Sequence, residues 1–475
     1  MLNKKRFFII GIKGMAMANI ALFLKKMGKE VSGSDISEEF TTDELLKKAK
    51  IRIINDFDPK KLPKVDIVIY SAAHHGKQNP QLCEAIKRKI KIVHQIEFMS
   101  EIMSKFPFSY AVAGCHGKTT TSSLLAYAMI KLGLNPSYII GTSSFDDYAG
   151  GDMQNGKHFV IEADEYGMDP PDDKTPKLLF LNPTNALITN IDFDHPDVYN
   201  NIEHTKDVFV QFCENVISRG KKPCLFLCID DENINSIIPR LIPDTYKTYG
   251  FSENADMRVL SYGTNQKYMN IELAYKGKPI GEIQVSLFGE KNALNVAGVI
   301  LMLLHSDFSI KEIQDAILNF KGAKRRFEEI AYENDIYLVD DYAHHPHEID
   351  AIIGALHTRF PQRRLILIFQ PHTFSRTFSL KNEFVHSLSK ADIVLLMPIF
   401  PSAREDASYS PISSEDLVKI SHDYDISNIY AVSSEKHCIE MLRFQIHKGD
   451  VVVTLGAGNV YKLGHEIIEV MKMAF

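Results

Sequence analysis

Residues 112–121 read VAGCHGKTTT, and the rest of the chain is organised around this decamer. A strand-forming run, 109–113, enters a turn built on Gly114 and Gly117, and a helix-forming run, 120–132, leaves it. A glycine turn at such a junction gathers backbone N–H groups into a hollow at a helix N-terminus, which favours an anion. Lys118 adds a point charge for the outer phosphates of a nucleotide, and the hydroxyl of Thr119 suits Mg2+. The loop is a variant, because Val112 stands where the usual P-loop spacing has its first glycine. ATP or a similar nucleotide is the expected ligand.

Upstream, strands and helices alternate. Strand 6–10 leads through Gly11-Ile-Lys-Gly14-Met-Ala16 into helix 16–27, and strand 30–34 closes on Asp35. Further strands are expected at 65–71 and 91–93, which makes a doubly wound α/β domain. The Gly11–Gly14 turn is an incomplete dinucleotide fingerprint, with Asp35 where an acidic residue often takes a ribose hydroxyl. On its own it admits NAD(P), another nucleotide or a purely structural turn.

Downstream, HFVIEAD, ALITNID and CLFLCID read as strands, and residues 257–287 switch to period-two alternation, an antiparallel patch at the edge of a larger sheet. From about residue 324 strand–helix units repeat through IYLVDDYA, RRLILIFQPH, ADIVLLMPIF, NIYAVSS and DVVVTLGAG, a further sheet buried on both faces. The fold class is α/β with three domains: a Rossmann-like domain over 1–105, a central P-loop ATPase-like domain over 106–322 and a second Rossmann-like domain over 323–475.

Composition is that of a globular protein, 45% hydrophobic and 24% charged over 475 residues. The net charge of −6 argues against general nucleic-acid binding, which wants a basic face, and is compatible with a local basic pocket for phosphates. No apolar run is long enough to span a membrane, and the opening MLNKKRFFIIGIKG reads as a first strand, so the expected location is the cytoplasm. Six scattered cysteines complete no zinc site and are expected as free thiols, with Cys224 and Cys228 on one side of a strand. Cys115, at the head of the P-loop helix, is either a thiol of lowered pKa or an inert small residue.

Polar groups collect at strand ends, where ligands bind in α/β sheets. Glu162-Ala-Asp164-Glu165 and Asp192-Phe-Asp194-His195 end two strands, and Thr119, Glu162 and His195 are candidates to converge on a cation. Mg2+ prefers oxygen, so the imidazole is the weakest of the three. Asn292 and Asn295 lie on one face of a helix and either bond a nucleotide or cap the helix start. Lys324-Arg325-Arg326 is either a phosphate or carboxylate contact or a solvated linker. Asp340-Asp341-Tyr342-Ala-His344-His345-Pro346, Gln370-Pro-His372-Thr-Phe-Ser-Arg376 and Gly456-Ala-Gly458-Asn459 end three more strands.

Together GCHGKTTT, EADE, TNIDFDH, GEKNALN, KRRF, DDYAHHP, FQPHTFSRT and GAGN resemble the Mur ligases, ATP-dependent amino-acid ligases of peptidoglycan synthesis. The resemblance covers nearly the whole chain. DDYAHHP with FQPHTFSRT, and GIKGMAM with VSGSD, point to the subgroup that joins L-alanine to UDP-N-acetylmuramate; the alternative is the subgroup that recycles a murein tripeptide. It implies that the first domain binds a UDP-sugar through Gly11, Gly14, Asp35 and Ser71. It implies ATP contacts from Gly114, Cys115, His116, Gly117, Lys118, Thr119, Thr120, Asn292, Asn295, Arg326 and Asp341, and Mg2+ held by Thr119, Glu162 and His195. Lys118, Glu162, His195, Arg326 and Asp341 are the implied catalytic set, with Tyr342, His344 and Arg376 holding the amino acid. It further implies a monomer or weak dimer. Ala16, in place of a usual glycine, and the divergent 166–174 segment depart from the pattern on the sugar side. The competing readings, an NAD(P) oxidoreductase and a non-catalytic nucleotide-binding module, leave most of these motifs without a role.

Overall fold

The structure is a computed structural model that describes residues 1–219, 224–265, 267–401 and 411–474; of Cys224 only the backbone is described. The chain divides into two compact units. The first comprises Met1–Tyr262, Asn270–Val285 and Asn292–Lys321, and the second comprises Gly263–Met269, Ser286–Lys291 and Gly322–Phe475. No helix among the described residues is long and apolar enough to cross a membrane.

The first unit holds two large sheets. A five-stranded sheet runs Arg52–Ile54, Glu30–Ser34, Arg6–Ile10, Ile67–Tyr70, Lys91–His94, with every pair parallel. Arg6–Ile10 and Ile67–Tyr70 are apolar at every position but Arg6, as burial on both faces requires. Arg52–Ile54 and the helices Pro80–Lys87 and Gln95–Met103 were not anticipated.

In the ten-stranded sheet the P-loop strand Phe108–Ala113 lies between Asn185–Ile188 and His158–Ala163, parallel to both. Beyond Asn185–Ile188 come Cys224–Cys228 and Tyr246–Gly250, and that edge ends in Met257–Thr264, Met269–Tyr275 and Lys278–Val285. The last two are joined by Lys276 and Gly277, both at positive φ, a two-residue hairpin turn that forces the antiparallel pairing expected here. The opposite edge is a hairpin of Ser137–Phe145 and Tyr148–Asp152, which sequence reading left out. A separate two-stranded ribbon, Gly167–Asp169 with Asp173–Pro176, begins inside the divergent segment and ends just beyond it.

The second unit is built on a six-stranded sheet in the order Glu328–Glu333, Ile336–Asp341, Val451–Leu455, Leu365–Phe369, Ile393–Leu396, Ile429–Ala431. Only the first pair is antiparallel. Alternate residues feed two cores: Leu365, Leu367 and Phe369 join one, Ile366 and Ile368 the other. The chain's last strand is therefore central, with apolar layers above and below.

Candidate active site

The P-loop strand ends at Ala113, and the helix Lys118–Lys131 begins two residues earlier than its apolar pattern indicates. Gly117 caps it in the left-handed region at φ +82°, which leaves the first helical N–H groups without a side-chain acceptor. Gly114, at φ +132°, is held so tightly that a Cβ there would sit 2.2 Å from Thr189 Oγ1. The loop is gripped from the neighbouring strand's end. Asn190 Oδ1 accepts from the His116 N–H at 2.9 Å, Asn190 Nδ2 donates to the His116 carbonyl at 2.8 Å, and Thr189 Oγ1 donates to the same carbonyl at 2.6 Å. Thr189 and Asn190 were not singled out from sequence, although both sit in the quoted TNIDFDH motif.

Cys115 is buried. Its Sγ donates to the Asp192 carbonyl at 3.2 Å and accepts from the Asp192 N–H at 3.1 Å, so it ties the loop to the next strand end. Burial, with the Glu165 carboxylate nearby, raises its pKa well above that of an ordinary thiol. Of the two readings, burial favours the inert small residue, because desolvation of the thiolate opposes the helix N-terminus.

Lys118 Nζ donates to the carbonyls of Gly114 and Cys115 and lies 2.7 Å from Glu165 Oε2. Burial pulls the ammonium's pKa down, but Glu165 and Asp164 more than offset this, and the net shift is upward. Glu165 is 2% exposed, and its own carbonyl accepts from the Tyr199 hydroxyl at 2.6 Å. Asp164 pairs with Lys177 at 2.7 Å; desolvation raises its pKa, Lys177 and Lys118 lower it, and it ends well below the usual carboxylate range.

Thr119 Oγ1 lies 3.3 Å from Glu162 Oε2, and Ser122 Oγ 3.2 Å from Glu162 Oε1. This is an oxygen donor pair beside a phosphate-type loop, chemistry that fits Mg2+. His195 is gathered with a different set: its Nε2 is 3.4 Å from Glu165 Oε1 and 3.6 Å from Asp194 Oδ2, and the three residues bring ligand atoms within 4.8 Å of one another. Burial lowers the His195 pKa, Asp194 and Glu165 raise it, and the balance is upward. The structure thus pairs Thr119 with Glu162, and groups His195 with Glu165 and Asp194. Asn295 is buried over the loop, 3.2 Å from where a Gly117 Cβ would lie, and donates to Asn292 Oδ1 at 3.2 Å. Asn292 is the third residue of the helix Glu290–His305, inside its first turn rather than at the cap position.

At the five-stranded sheet, Gly11 turns at φ +74° and its N–H donates to the Ser34 carbonyl. Gly14 precedes the helix Met15–Lys26, which has no side-chain cap. Ala16 is the second helical residue, a position that asks for no glycine conformation. Asp35 is 1% exposed; its Oδ2 accepts from the Lys13 N–H at 2.7 Å, and its Oδ1 accepts from the Ile36 N–H and faces His74 Nε2 at 3.1 Å. These bonds make it an organiser of the glycine turn. Ser71 follows the strand Ile67–Tyr70, and its Oγ accepts from the Ala73 N–H at 3.4 Å.

In the second unit Arg325 and Arg326 divide the work. Arg325 bonds Asp340 at 2.9 Å and the Gly456 carbonyl at 2.6 Å, between the rings of Tyr342 and Tyr461. The solvated-linker reading does not hold for it. Arg326 lies over Tyr342 and 4.0 Å from Glu348, a residue missed from sequence. Asp341 accepts from the N–H groups of Phe327 and Ala343, both at 2.7 Å; burial, only partly countered by Arg326, pushes its carboxyl up to about 6. His344 is 3.2 Å from Glu348 and packs edge-on against Tyr342 and His372. Gln370 joins two motifs, accepting from the Asn459 and Val460 N–H groups and donating to Asn459 Oδ1. Arg376 lies in the short helix Phe374–Ser379.

Three family models match in succession: Mur ligase family, catalytic domain, over 6–107; Mur ligase middle domain over 112–303; and Mur ligase, glutamate ligase domain, over 325–458. A UDP-N-acetylmuramate–L-alanine ligase of Trichlorobacter lovleyi is 35% identical over 98% of this chain and 99% of its own length. The chain belongs to the Mur ligase family. Another relative of the same description, from Persephonella marina, is 35% identical over 98% of this chain and 97% of its own. Among solved structures, the UDP-N-acetylmuramate-alanine ligase of Thermotoga maritima has the same fold, with a TM-score of 0.81 at 22% identity over 99% of this Mur ligase and 100% of that chain. A murein peptide ligase of Psychrobacter arcticus scores 0.72 at 21% identity, covering 98% of each chain. A Thermotoga maritima MurF ligase solved with ADP scores 0.64 at 16% identity, over 88% of this chain and 97% of its own.

Proposed function

We infer that this Mur ligase joins L-alanine to the lactyl carboxylate of UDP-N-acetylmuramate, giving UDP-N-acetylmuramoyl-L-alanine, ADP and phosphate. The observation that carries the reading is end-to-end identity of about a third with ligases of that description, on a chain whose P-loop machinery is intact. Residues 1–105 take the UDP-sugar, 106–322 the ATP, and 323–475 the amino acid. Gly11, Gly14 and Ser71 line the sugar-nucleotide site, and Asp35 supports it by holding the turn.

The lactyl carboxylate attacks the γ-phosphorus of ATP, breaking the bond to ADP and forming an acyl phosphate. The amine of L-alanine then attacks the carbonyl carbon, loses a proton, and expels phosphate as the amide forms. Gly114–Thr120 cradle the phosphates through backbone N–H groups, and Lys118 follows the charge that builds on the γ-phosphoryl oxygens. Glu165 holds Lys118 in its charged form until phosphate oxygens replace it. Thr119, Glu162 and His195 are assigned to Mg2+, which when bound offsets phosphate charge. Asn292, Asn295, Arg326 and Asp341 are assigned to ATP, and Tyr342, His344 and Arg376 to the amino acid. The enzyme is assigned to the cytoplasm as a monomer or weak dimer.

Phosphate release from ATP and Mg2+ tests the reading. Release requiring both UDP-N-acetylmuramate and L-alanine, and abolished by Lys118→Ala, is the expected result. Release with L-alanyl-γ-D-glutamyl-diaminopimelate but not with L-alanine would move the assignment to the tripeptide-recycling reaction.

A further inference from the structure

The strand Ser137–Phe145 lies between two neighbours, and both ladders break at the same place. Pairing with the strand His158–Ala163 runs through Ser137, Tyr138 and Ile139 and stops. Pairing with Tyr148–Asp152 runs through Tyr138 and Ile139 and resumes only at Ser144. Backbone groups in residues 140–142 are satisfied by side chains instead. The Asn19 amide, 0% exposed on the helix Met15–Lys26, donates from Nδ2 to the Ile140 carbonyl at 2.6 Å and to the Thr142 carbonyl at 2.9 Å. The Gly141 N–H between them donates at 2.6 Å to Glu162 Oε1.

The surroundings leave no slack. A Cβ on Gly150 would lie 1.8 Å from the Thr142 carbonyl oxygen and 2.6 Å from Asn19 Nδ2, and one on Gly151 2.2 Å from the Asn19 carbonyl oxygen. A Cβ on Gly141 would lie 2.7 Å from Glu162 Oε2. Asn19 sits just over one turn into the helix that follows the Gly11–Gly14 loop. One side chain therefore connects the base of that loop to the backbone that aims Glu162.

We propose that Asn19 is a positioning residue for the cation site: its amide fixes residues 140–142 so that the Gly141 N–H sets the orientation of the Glu162 carboxylate beside Thr119. The proposal rests on Glu162 as a ligand of the nucleotide-bound cation. Outer partners that orient a metal ligand change affinity without touching the metal. Asn19→Leu keeps the volume but leaves the carbonyls of Ile140 and Thr142 without their donor, so the segment relaxes and Glu162 loses its fixed aim.

The test is Mn2+ binding to the full chain with saturating ADP, read as free Mn2+ by electron paramagnetic resonance. Thermal denaturation and ADP affinity without metal are measured alongside. Asn19→Leu is expected to weaken Mn2+ on the order of tenfold, with ADP affinity in the absence of metal unchanged. Asn19→Ser, which keeps one donor, shows a smaller loss in the same direction and carries the test if the leucine variant does not fold. Glu162→Gln is the control. Wild-type Mn2+ affinity in the Asn19 variants, alongside weakened Mn2+ in Glu162→Gln, overturns the proposal and makes Asn19 a packing residue. Unchanged Mn2+ affinity in Glu162→Gln overturns the assignment of Glu162 and the proposal with it.

Discussion

Replacing Glu165 by glutamine removes the counter-charge that this carboxylate gives Lys118. The pair is 2.7 Å apart, with side chains 15% and 3% exposed. At an effective dielectric constant of about 20, a Coulomb energy at that distance is about 6 kcal/mol. Breaking one side of a buried pair costs roughly 3–5 kcal/mol. Glutamine still offers Lys118 an oxygen, so the lower end, about 3 kcal/mol, is expected. For a unit of this size the shift is roughly 1–2 °C per kcal/mol, so the unfolding midpoint of the nucleotide-free protein falls by about 3–6 °C. Bound nucleotide supplies phosphate charge in place of the carboxylate, so most of that loss is recovered on ligation. Scanning fluorimetry with and without a non-hydrolysable ATP analogue and Mg2+ measures both quantities. An equal deficit in the free and liganded proteins would refute the view that Glu165 stands in for phosphate at Lys118.

Three further outcomes are expected. Asn190→Ala removes two bonds to His116, so the KM for ATP rises about tenfold, one to two hydrogen bonds' worth, while the KM for UDP-N-acetylmuramate holds; steady-state kinetics separates the two. Asp341 has a folded pKa of about 6, above its unfolded value, so its favourable contribution is full below about pH 4 and is lost as pH rises through 6. Asp341→Asn therefore gains on the wild type by about 3 kcal/mol between pH 4 and pH 8 in denaturant titrations, and parallel curves would count against the burial argument. Iodoacetamide followed by peptide mass spectrometry should label the partly exposed Cys83 well before Cys115, whose thiolate is disfavoured by burial.

The P-loop could be read directly because its chemistry is local: two glycines, a lysine and a threonine at one strand–helix junction. The strands of the six-stranded sheet could be read for a similar reason, since burial on both faces writes unbroken apolar runs such as LILIF and VVVTL. The edge strand Glu328–Glu333 was missed because EEIAYE is largely exposed and carries charge on both faces. Within EADE, sequence could not say which carboxylate meets Lys118 and which meets Thr119, because that depends on how the chain turns after the strand. That Asp35 also holds the glycine turn, through the Lys13 and Ile36 N–H groups, was hidden for the same reason. Asn19 carries no mark at all: one polar residue in an apolar helix reads as a tolerated exception until its carbonyl partners, more than a hundred residues away, are in view.

The grip on the phosphate loop also fixes when, during synthesis, the loop can first work. Gly114–Thr120 emerge early, but the residues that clamp His116 and Cys115 lie at Thr189, Asn190 and Asp192, and the asparagine over Gly117 is Asn295. A nascent chain that has passed residue 120 therefore holds the motif without its mould, with the central strand Phe108–Ala113 still lacking its neighbour Asn185–Ile188. Amino-terminal fragments that end short of about residue 295 carry the full GCHGKTTT motif without these contacts and are expected to bind ATP more weakly than the whole chain, which nucleotide titration of such a fragment checks.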